Sequence, residues 1–344
     1  MMTNADPFRR LFVQGAGSWG TALALLGLQT GAEVVLWTRR EDHAAAMRGD
    51  RENQRYLPGV SLPPALTITA DRGAIAGCDA VLSVVPAQFA GGELAALREA
   101  SGAAALPVAL CSKGIEAETR RLMPEVLKAA WPEAAPAMLS GPSFAADVAK
   151  GLPTAVTLAD ADRDRGERWL ATLGTLTFRP YWSADLTGVA IGGAVKNVLA
   201  VACGVVEGQG LGESARAALM ARGFAEAARF AVALGAKVET LRGLSGLGDM
   251  ILTCVSPQSR NYSLGVALGQ GETAADILSK RHTVAEGAKT APVLTALARE
   301  HGVEMPVAEA VAALVAGDIE VDDVVDSLLS RPLRPESPLL RDKT

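Results

Sequence analysis

The sequence predicts an α/β protein in two parts, a doubly wound and mostly parallel sheet followed by an all-α domain. Three observations carry that expectation. Up to about residue 158 the chain alternates short apolar runs with helix-like stretches, strand and helix in turn. Beyond about residue 183 the strand signals stop and long Ala/Leu/Gly segments of helical spacing take over. Between the first apolar run and the first helical stretch stands GAGSWG, residues 15–20, the glycine pattern that opens a Rossmann-type unit.

Strands are expected at 11–14, 33–37, 66–69, 80–84, 108–110, 137–139 and 154–158, each a short Val, Ile, Leu or Ala run. Helices are expected among them at 21–29, 88–100 and 119–130. The second half carries helical spacing at 188–206, 214–234, 261–269, 273–280, 289–301 and 307–315. Ser214 offers a cap at the start of one of these, and Gly235 a stop at its end. The division is a dinucleotide-binding domain over 1–186, a helical substrate domain over 187–330, and a loose tail over 331–344, rich in proline and charge.

Composition narrows the class. Hydrophobic residues make up 49% of the chain but aromatics only 4%, so the core is built from Ala, Val and Leu. A net charge of −5 gives no reason to expect nucleic acid as a partner. Cys78, Cys111, Cys203 and Cys254 lie far apart, as do His43, His282 and His301, so neither a metal site nor a disulfide framework is expected. Reduced thiols suit a cytoplasmic protein. The N-terminus carries an acid and a proline, unlike a signal peptide. The longest apolar stretch, about 189–206, is interrupted by Lys196 and Asn197 and reads as a buried helix rather than a membrane span. So apolar a helical domain leaves room for a homodimer.

Within the glycine turn each position has a task. Gly15 permits the tight turn, Gly17 lets the backbone approach a pyrophosphate, and Gly20 lets the following helix pack closely on the strand. With Ser18 and Trp19 these residues are expected to line the phosphates of a dinucleotide at the helix N-terminus. Trp19 is expected both to pack the turn and to cover the pyrophosphate. An NAD site usually has an acid at the end of the second strand; this chain has Arg39 and Arg40 there. A guanidinium fork matches a 2′-phosphate, so NADPH is favoured over NADH, although Glu41 and Asp42 stand close enough to neutralise the pair.

Polar clusters follow the later strands: VPAQ (85–88), SKGIE (112–116) and SGPSFA (140–145). GGAVKN (192–197), Arg222-Gly223, GLGD (246–249) and SRN (259–261) come in the helical half. Together with GAGSWGTALA and YLPG (56–59), they resemble the NAD(P)-dependent glycerol-3-phosphate dehydrogenase family of bacterial type, from about residue 11 to 315. The resemblance implies reversible reduction of dihydroxyacetone phosphate to sn-glycerol 3-phosphate, the backbone of glycerophospholipids.

It also implies residue roles. Lys196 becomes the catalytic lysine; its place in an apolar helix lowers its pKa by desolvation, unless the chain snorkels to solvent. Asp249 becomes a substrate-site residue that either bonds the substrate hydroxyl or holds Lys196. Arg260, between Ser259 and Asn261, supplies a cationic fork for the substrate phosphate and also reaches the cofactor, SRN otherwise being an ordinary helix cap. Lys113 contacts both ligands; Gly141, Ser143, Asn197 and Thr253 face substrate; Ala145, Val284 and Glu286 face cofactor.

The sequence departs from the family at Ala190, where glutamate is frequent, at Ala87, where serine is common, and at Gln14, usually aliphatic. Two other readings stay open at this point: a β-hydroxyacid or 6-phosphogluconate-type dehydrogenase, and a catalytically silent NADPH-binding sensor.

Overall fold

The apolar runs of the first half become strands because their Val, Leu and Ala side chains are buried on both faces, as a parallel sheet between helices demands. The computed structural model describes residues 5–280 and 285–324. Its strands are β1 (Arg10–Gln14), β2 (Glu33–Trp37), β3 (Glu52–Asn53), β4 (Leu57–Ser61), β5 (Thr67–Thr69), β6 (Ala80–Ser83), β7 (Pro107–Leu110), β8 (Ala135–Ser140), β9 (Thr154–Asp160) and β10 (Phe178–Ser183). Eight of them form one sheet in the order β10-β9-β8-β7-β6-β1-β2-β5, while β3 and β4 make a separate antiparallel ribbon. The chain runs outward from β1 to β2 and β5, then returns to lay β6 against the other side of β1. That reversal is the switch point of a doubly wound sheet.

Six helices belong to this half: α1 (Ser18–Gln29), α2 (Glu41–Asp50), α3 (Ala87–Ala100), α4 (Met123–Ala130), α5 (Ala145–Ala149) and α6 (Arg163–Leu173). The other half comprises α7 (Leu186–Gly208), α8 (Glu213–Ala233), α9 (Val238–Arg242), α10 (Asp249–Val255), α11 (Arg260–Gly269), α12 (Ala274–Lys280), α13 (Glu286–Glu300) and α14 (Pro306–Ala316). The mostly parallel sheet and the helical half agree with the expected class. Within it, α7 is long and apolar enough to cross a membrane by composition, yet its apolar window is entirely buried in the protein. It packs against α8, α10, α11 and α13 and against the sheet at β8, so one apolar core joins the two halves.

Several expectations are corrected. The strand at β9 runs antiparallel to β8, and β10 follows β9 in parallel. The connection from β8 contains only the five residues of α5 as helix, about 7 Å of rise, too short to carry the chain back along a strand. Ser214 is not a cap: Gly212, at φ 88°, holds the cap position of α8 and Ser214 lies inside its first turn. Gly235 does stop that helix, with φ 80°. The helix expected from 119 begins only at Met123. Helices α2, α5, α6, α9 and α10, strand β10 and the β3–β4 ribbon were not anticipated. The tail at 331–344 lies outside the described residues.

One close approach fixes the helical half. A Cβ on Gly265 of α11 would stand 2.0 Å from the Val201 carbonyl oxygen of α7, and one on Gly204 would stand 2.1 Å from that of Tyr262. Helix backbones therefore touch, which sets the N-terminal end of α11, with Arg260 and Asn261, against the middle of α7.

Candidate active site

The sheet's C-terminal edge collects the motif loops. GAGSWG leaves β1, Val84 to Pro86 leave β6, Ser112 and Lys113 follow β7, and Gly141 follows β8. The turn lies in the switch-point crevice: Gly15 takes φ 114°, and a Cβ on it would come within 3.1 Å of the Val84 carbonyl. A Cβ on Gly20 would stand 1.8 Å from the Gly15 carbonyl oxygen, so this turn and helix coexist only with glycine. Trp19 packs toward Phe178 of β10, ring centroids 6.5 Å apart. Gln14, unusual at its place, is buried and satisfied: its Oε1 accepts from Ser83 Oγ at 2.9 Å and its Nε2 donates to the Glu93 carbonyl.

A dinucleotide fits this crevice. Gly17 is the N-cap of helix α1 and brings no side-chain cap, and the first turn has no acidic residue, so no side chain competes for its leading N–H groups. A Cβ on Gly17 would meet nothing within 4 Å, leaving the backbone open to a phosphate. At the end of β2 the two arginines differ. Arg40 is turned onto Asp42, Nε to Oδ1 2.9 Å, an ion pair that holds the Asp42 carboxyl down to about 2. Arg39 is exposed, with no partner among the described residues.

Across the crevice, α7 presents Lys196, 7% exposed in a helix otherwise lined by Ala, Val and Gly. Its Nζ donates to Asp249 Oδ1 at 2.8 Å and to Thr253 Oγ1 at 2.9 Å. The other oxygen of Asp249 accepts from Lys113 Nζ at 2.7 Å, and Lys113 also donates to the Gly141 carbonyl at 3.0 Å. Asp249 thus orients both lysines. Burial holds the Lys196 ammonium down to about 8; the Asp249 carboxylate opposes this, and the charge of Lys113 adds to the depression.

A second chain of bonds ties the motifs together. Asn197 Nδ2 donates to the Lys113 carbonyl at 2.8 Å, and its Oδ1 accepts from Asn261 Nδ2 at 2.9 Å. Asn261 Oδ1 in turn accepts from the Gly287 N–H at 2.9 Å, at the start of α13. Ser259 Oγ accepts from the Tyr262 N–H and so caps α11, placing Arg260 at its first residue. Glu286 lies near Arg260: burial pushes its carboxyl up, while the Arg260 charge and the Ala87 backbone pull it down. Ser143 Oγ donates to the Gly141 carbonyl, and Ala145 opens α5 against α1. Val284 lies outside the described residues.

Two residues were missed. Gln88 holds the SKGIE loop, its Nε2 on the Ile115 carbonyl and its Oε1 accepting from Ala117 N–H, both at 2.8 Å. Ser140, 2% exposed, has no hydrogen-bond partner for its hydroxyl among the described residues, and it lies beside the point where a Cβ of Gly193 would stand. Gln88 stood within VPAQ and Ser140 within SGPSFA, but neither spacing distinguishes a loop holder from a solvated side chain.

A glycine turn at the switch point of a doubly wound sheet, faced by a buried lysine from a helical half, defines the class: an NAD(P)-dependent dehydrogenase. The family models for the N-terminus and C-terminus of NAD-dependent glycerol-3-phosphate dehydrogenase match residues 11–165 and 185–326. The chain belongs to that family. It is similar to the glycerol-3-phosphate dehydrogenase (NAD(P)+) of Parvibaculum lavamentivorans, 54% identical over 96% of this chain and 99% of that one. The same-named protein of Caulobacter vibrioides is 51% identical, over 96% and 99%. The crystal structure of glycerol-3-phosphate dehydrogenase from Coxiella burnetii superposes with a TM-score of 0.90 at 37% identity, covering 94% of this chain and 99% of that chain.

Proposed function

We propose that this chain reduces dihydroxyacetone phosphate reversibly to sn-glycerol 3-phosphate, a step that supplies glycerophospholipid synthesis, with Lys196 as the proton donor in reduction and acceptor in oxidation. The observation that carries this reading is the lysine itself: buried in an apolar helix and pinned by Asp249 and Thr253, with burial bringing its pKa down to about 8. A reduced nicotinamide, when bound in the crevice, supplies the hydride.

Lys196 commits two of its three hydrogen-bond directions to Asp249 and Thr253, and a substrate carbonyl oxygen takes the third. As negative charge develops on that oxygen the ammonium gives up a proton and is left neutral, a state its apolar surroundings favour. Lys113 places a second positive charge beside the same carboxylate and polarises the substrate. Arg260, with the SRN turn set by the Asn197–Asn261 bond, receives the substrate phosphate and reaches toward the cofactor. Gly141, Ser143, Asn197, Thr253, Ser259 and Asn261 shape the substrate side; Ala145, Glu286 and Val284 complete the cofactor side.

NADPH is the preferred reductant, with Arg39 rather than Arg40 reading the 2′-phosphate because Asp42 engages Arg40. In this reading the cofactor domain spans 1–186 and the substrate domain 187–330. The protein works in the cytoplasm, where the four buried free thiols stay reduced, spanning no membrane. A homodimer is the expected assembly, because Leu247, Ile251 and Val255 expose 36%, 48% and 43% of their surface at helical spacing. The test of the activity is oxidation of NADPH and of NADH by the purified protein with dihydroxyacetone phosphate. Turnover faster with NADPH supports the reading; absence of turnover with either cofactor refutes it.

A further inference from the structure

The YLPG motif has no part in the chemistry above, yet it builds the β3–β4 ribbon, and that ribbon carries Asn53 to the glycine turn. Asn53 is 1% exposed. Its Nδ2 donates both protons, one to the Ala16 carbonyl at 3.0 Å and one to Thr21 Oγ1 at 2.8 Å. Thr21 Oγ1 in turn donates to the Gly17 carbonyl at 2.9 Å. The Ala16 carbonyl is thereby satisfied by the ribbon, while the Gly17 carbonyl, already accepting from the Thr21 N–H at 3.0 Å, takes the hydroxyl as a second donor.

The amide has one workable orientation, because only its nitrogen can serve the Ala16 carbonyl. Its Oδ1 must then accept from His43 Nε2, 3.1 Å away, and His43 Nδ1 accepts from Thr38 Oγ1 at 3.1 Å. Thr38 directly precedes Arg39, so one chain of bonds joins the two ends of the cofactor crevice. The motif holds this chain in place. Tyr56 meets the His43 ring edge-on, centroids 5.4 Å apart at 72°, and Leu57 is buried and pairs with Asn53. The Gly59 N–H closes the ribbon on Glu52 Oε1 at 2.7 Å.

We infer that the ribbon is a latch: Asn53, oriented by His43 and by Thr21, holds the Ala16 carbonyl in place, so that the turn presents N–H groups rather than that oxygen to the cofactor's pyrophosphate. A carbonyl free to swing toward a phosphate would repel it, and fixing it beforehand removes an ordering cost from binding. Asn53, Thr21 and His43 are positioning residues for both dinucleotides alike, since the pyrophosphate is common to them. The inference rests on the dehydrogenase reading only in taking the crevice as a dinucleotide site.

The test is titration of NADPH and of NADH into the full-length protein free of cofactor, followed by calorimetry. Asn53→Ala is expected to raise both dissociation constants about tenfold, with kcat at saturating cofactor within about twofold of wild type. Thr21→Val, close in shape but leaving one Asn53 N–H without its acceptor, is expected to raise both about threefold. Should Asn53→Ala fail to fold, Thr21→Val decides alone. Wild-type affinity in either folded variant overturns the latch, as does a loss confined to NADPH, or a fall in kcat with binding unchanged. Failure of the dehydrogenase reading looks different: a wild-type protein that binds both dinucleotides but does not turn over dihydroxyacetone phosphate.

Discussion

Lys196 Nζ lies 2.8 Å from Asp249 Oδ1, and both side chains are buried, exposing 9% and 2% of their surface. The carboxylate spans two lysines, with Lys113 on its other oxygen. One negative charge among two positive ones, all largely out of water, leaves a lysine that loses its proton more readily than an exposed one, yet stays fixed in direction.

That balance predicts opposite pH limbs. Reduction needs Lys196 protonated, and burial brings its pKa down from 10.5 to about 8. The rate of reduction should therefore fall as pH rises through about 8, while oxidation of sn-glycerol 3-phosphate, which needs the neutral amine, should rise over the same range. Initial rates in both directions from pH 6 to about 10 check this; parallel limbs would contradict it.

Asp249→Asn removes the group that raises the Lys196 pKa and leaves two ammonium groups facing an amide. The pH limb should move to lower pH, and kcat should fall about a hundredfold as both lysines lose their orientation. Unfolding stability should drop by about 3 kcal/mol, the cost of uncompensated buried charge. A pH–rate profile and a urea titration read the two effects separately.

Arg39→Asp should weaken NADPH binding about tenfold or more and leave NADH binding nearly as it was, since a charge-assisted contact is exchanged for a repulsion. Arg40→Ala should have a smaller effect, because Asp42 already engages that guanidinium. Dissociation constants for both cofactors with each variant test the assignment; an unchanged NADPH to NADH ratio in Arg39→Asp would overturn it.

Gly265→Ala places a methyl group where the Val201 carbonyl oxygen stands 2.0 Å away. Helices α7 and α11 must then separate, with a loss of about 1–3 kcal/mol of stability. Because α11 carries Arg260 and Asn261 to the site, KM for dihydroxyacetone phosphate should rise more than KM for cofactor. Steady-state kinetics on the folded variant measure the difference.

Strands and the glycine turn were legible because their signals are local. Apolar runs announce buried strands, and GAGSWG needs only its own six residues to set strand, turn and helix. The family resemblance pointed to Lys196, Lys113, Asp249 and Asn261 across more than a hundred residues. It left the role of Asp249 open; the structure sets both carboxylate oxygens on lysines.

What stayed hidden depends on contacts between distant segments. The reversed β9 follows from how little helix α5 provides, and Gly212 displaces Ser214 from the cap through its backbone angle. Arg39 and Arg40 look equivalent in sequence and are separated only by the direction in which Asp42 reaches. Asn53, in a short ribbon without strand-like apolar alternation, gave no sign that it serves a turn 37 residues away.

Turnover and cofactor binding of Lys196→Ala, measured on the same preparation, bear most directly on the proposed chemistry. With saturating NADPH and dihydroxyacetone phosphate, kcat should fall by about a thousandfold or more while the NADPH dissociation constant stays within about twofold of wild type. A variant that binds NADPH normally and keeps the wild-type rate would contradict the assignment of Lys196 as the proton-transfer group.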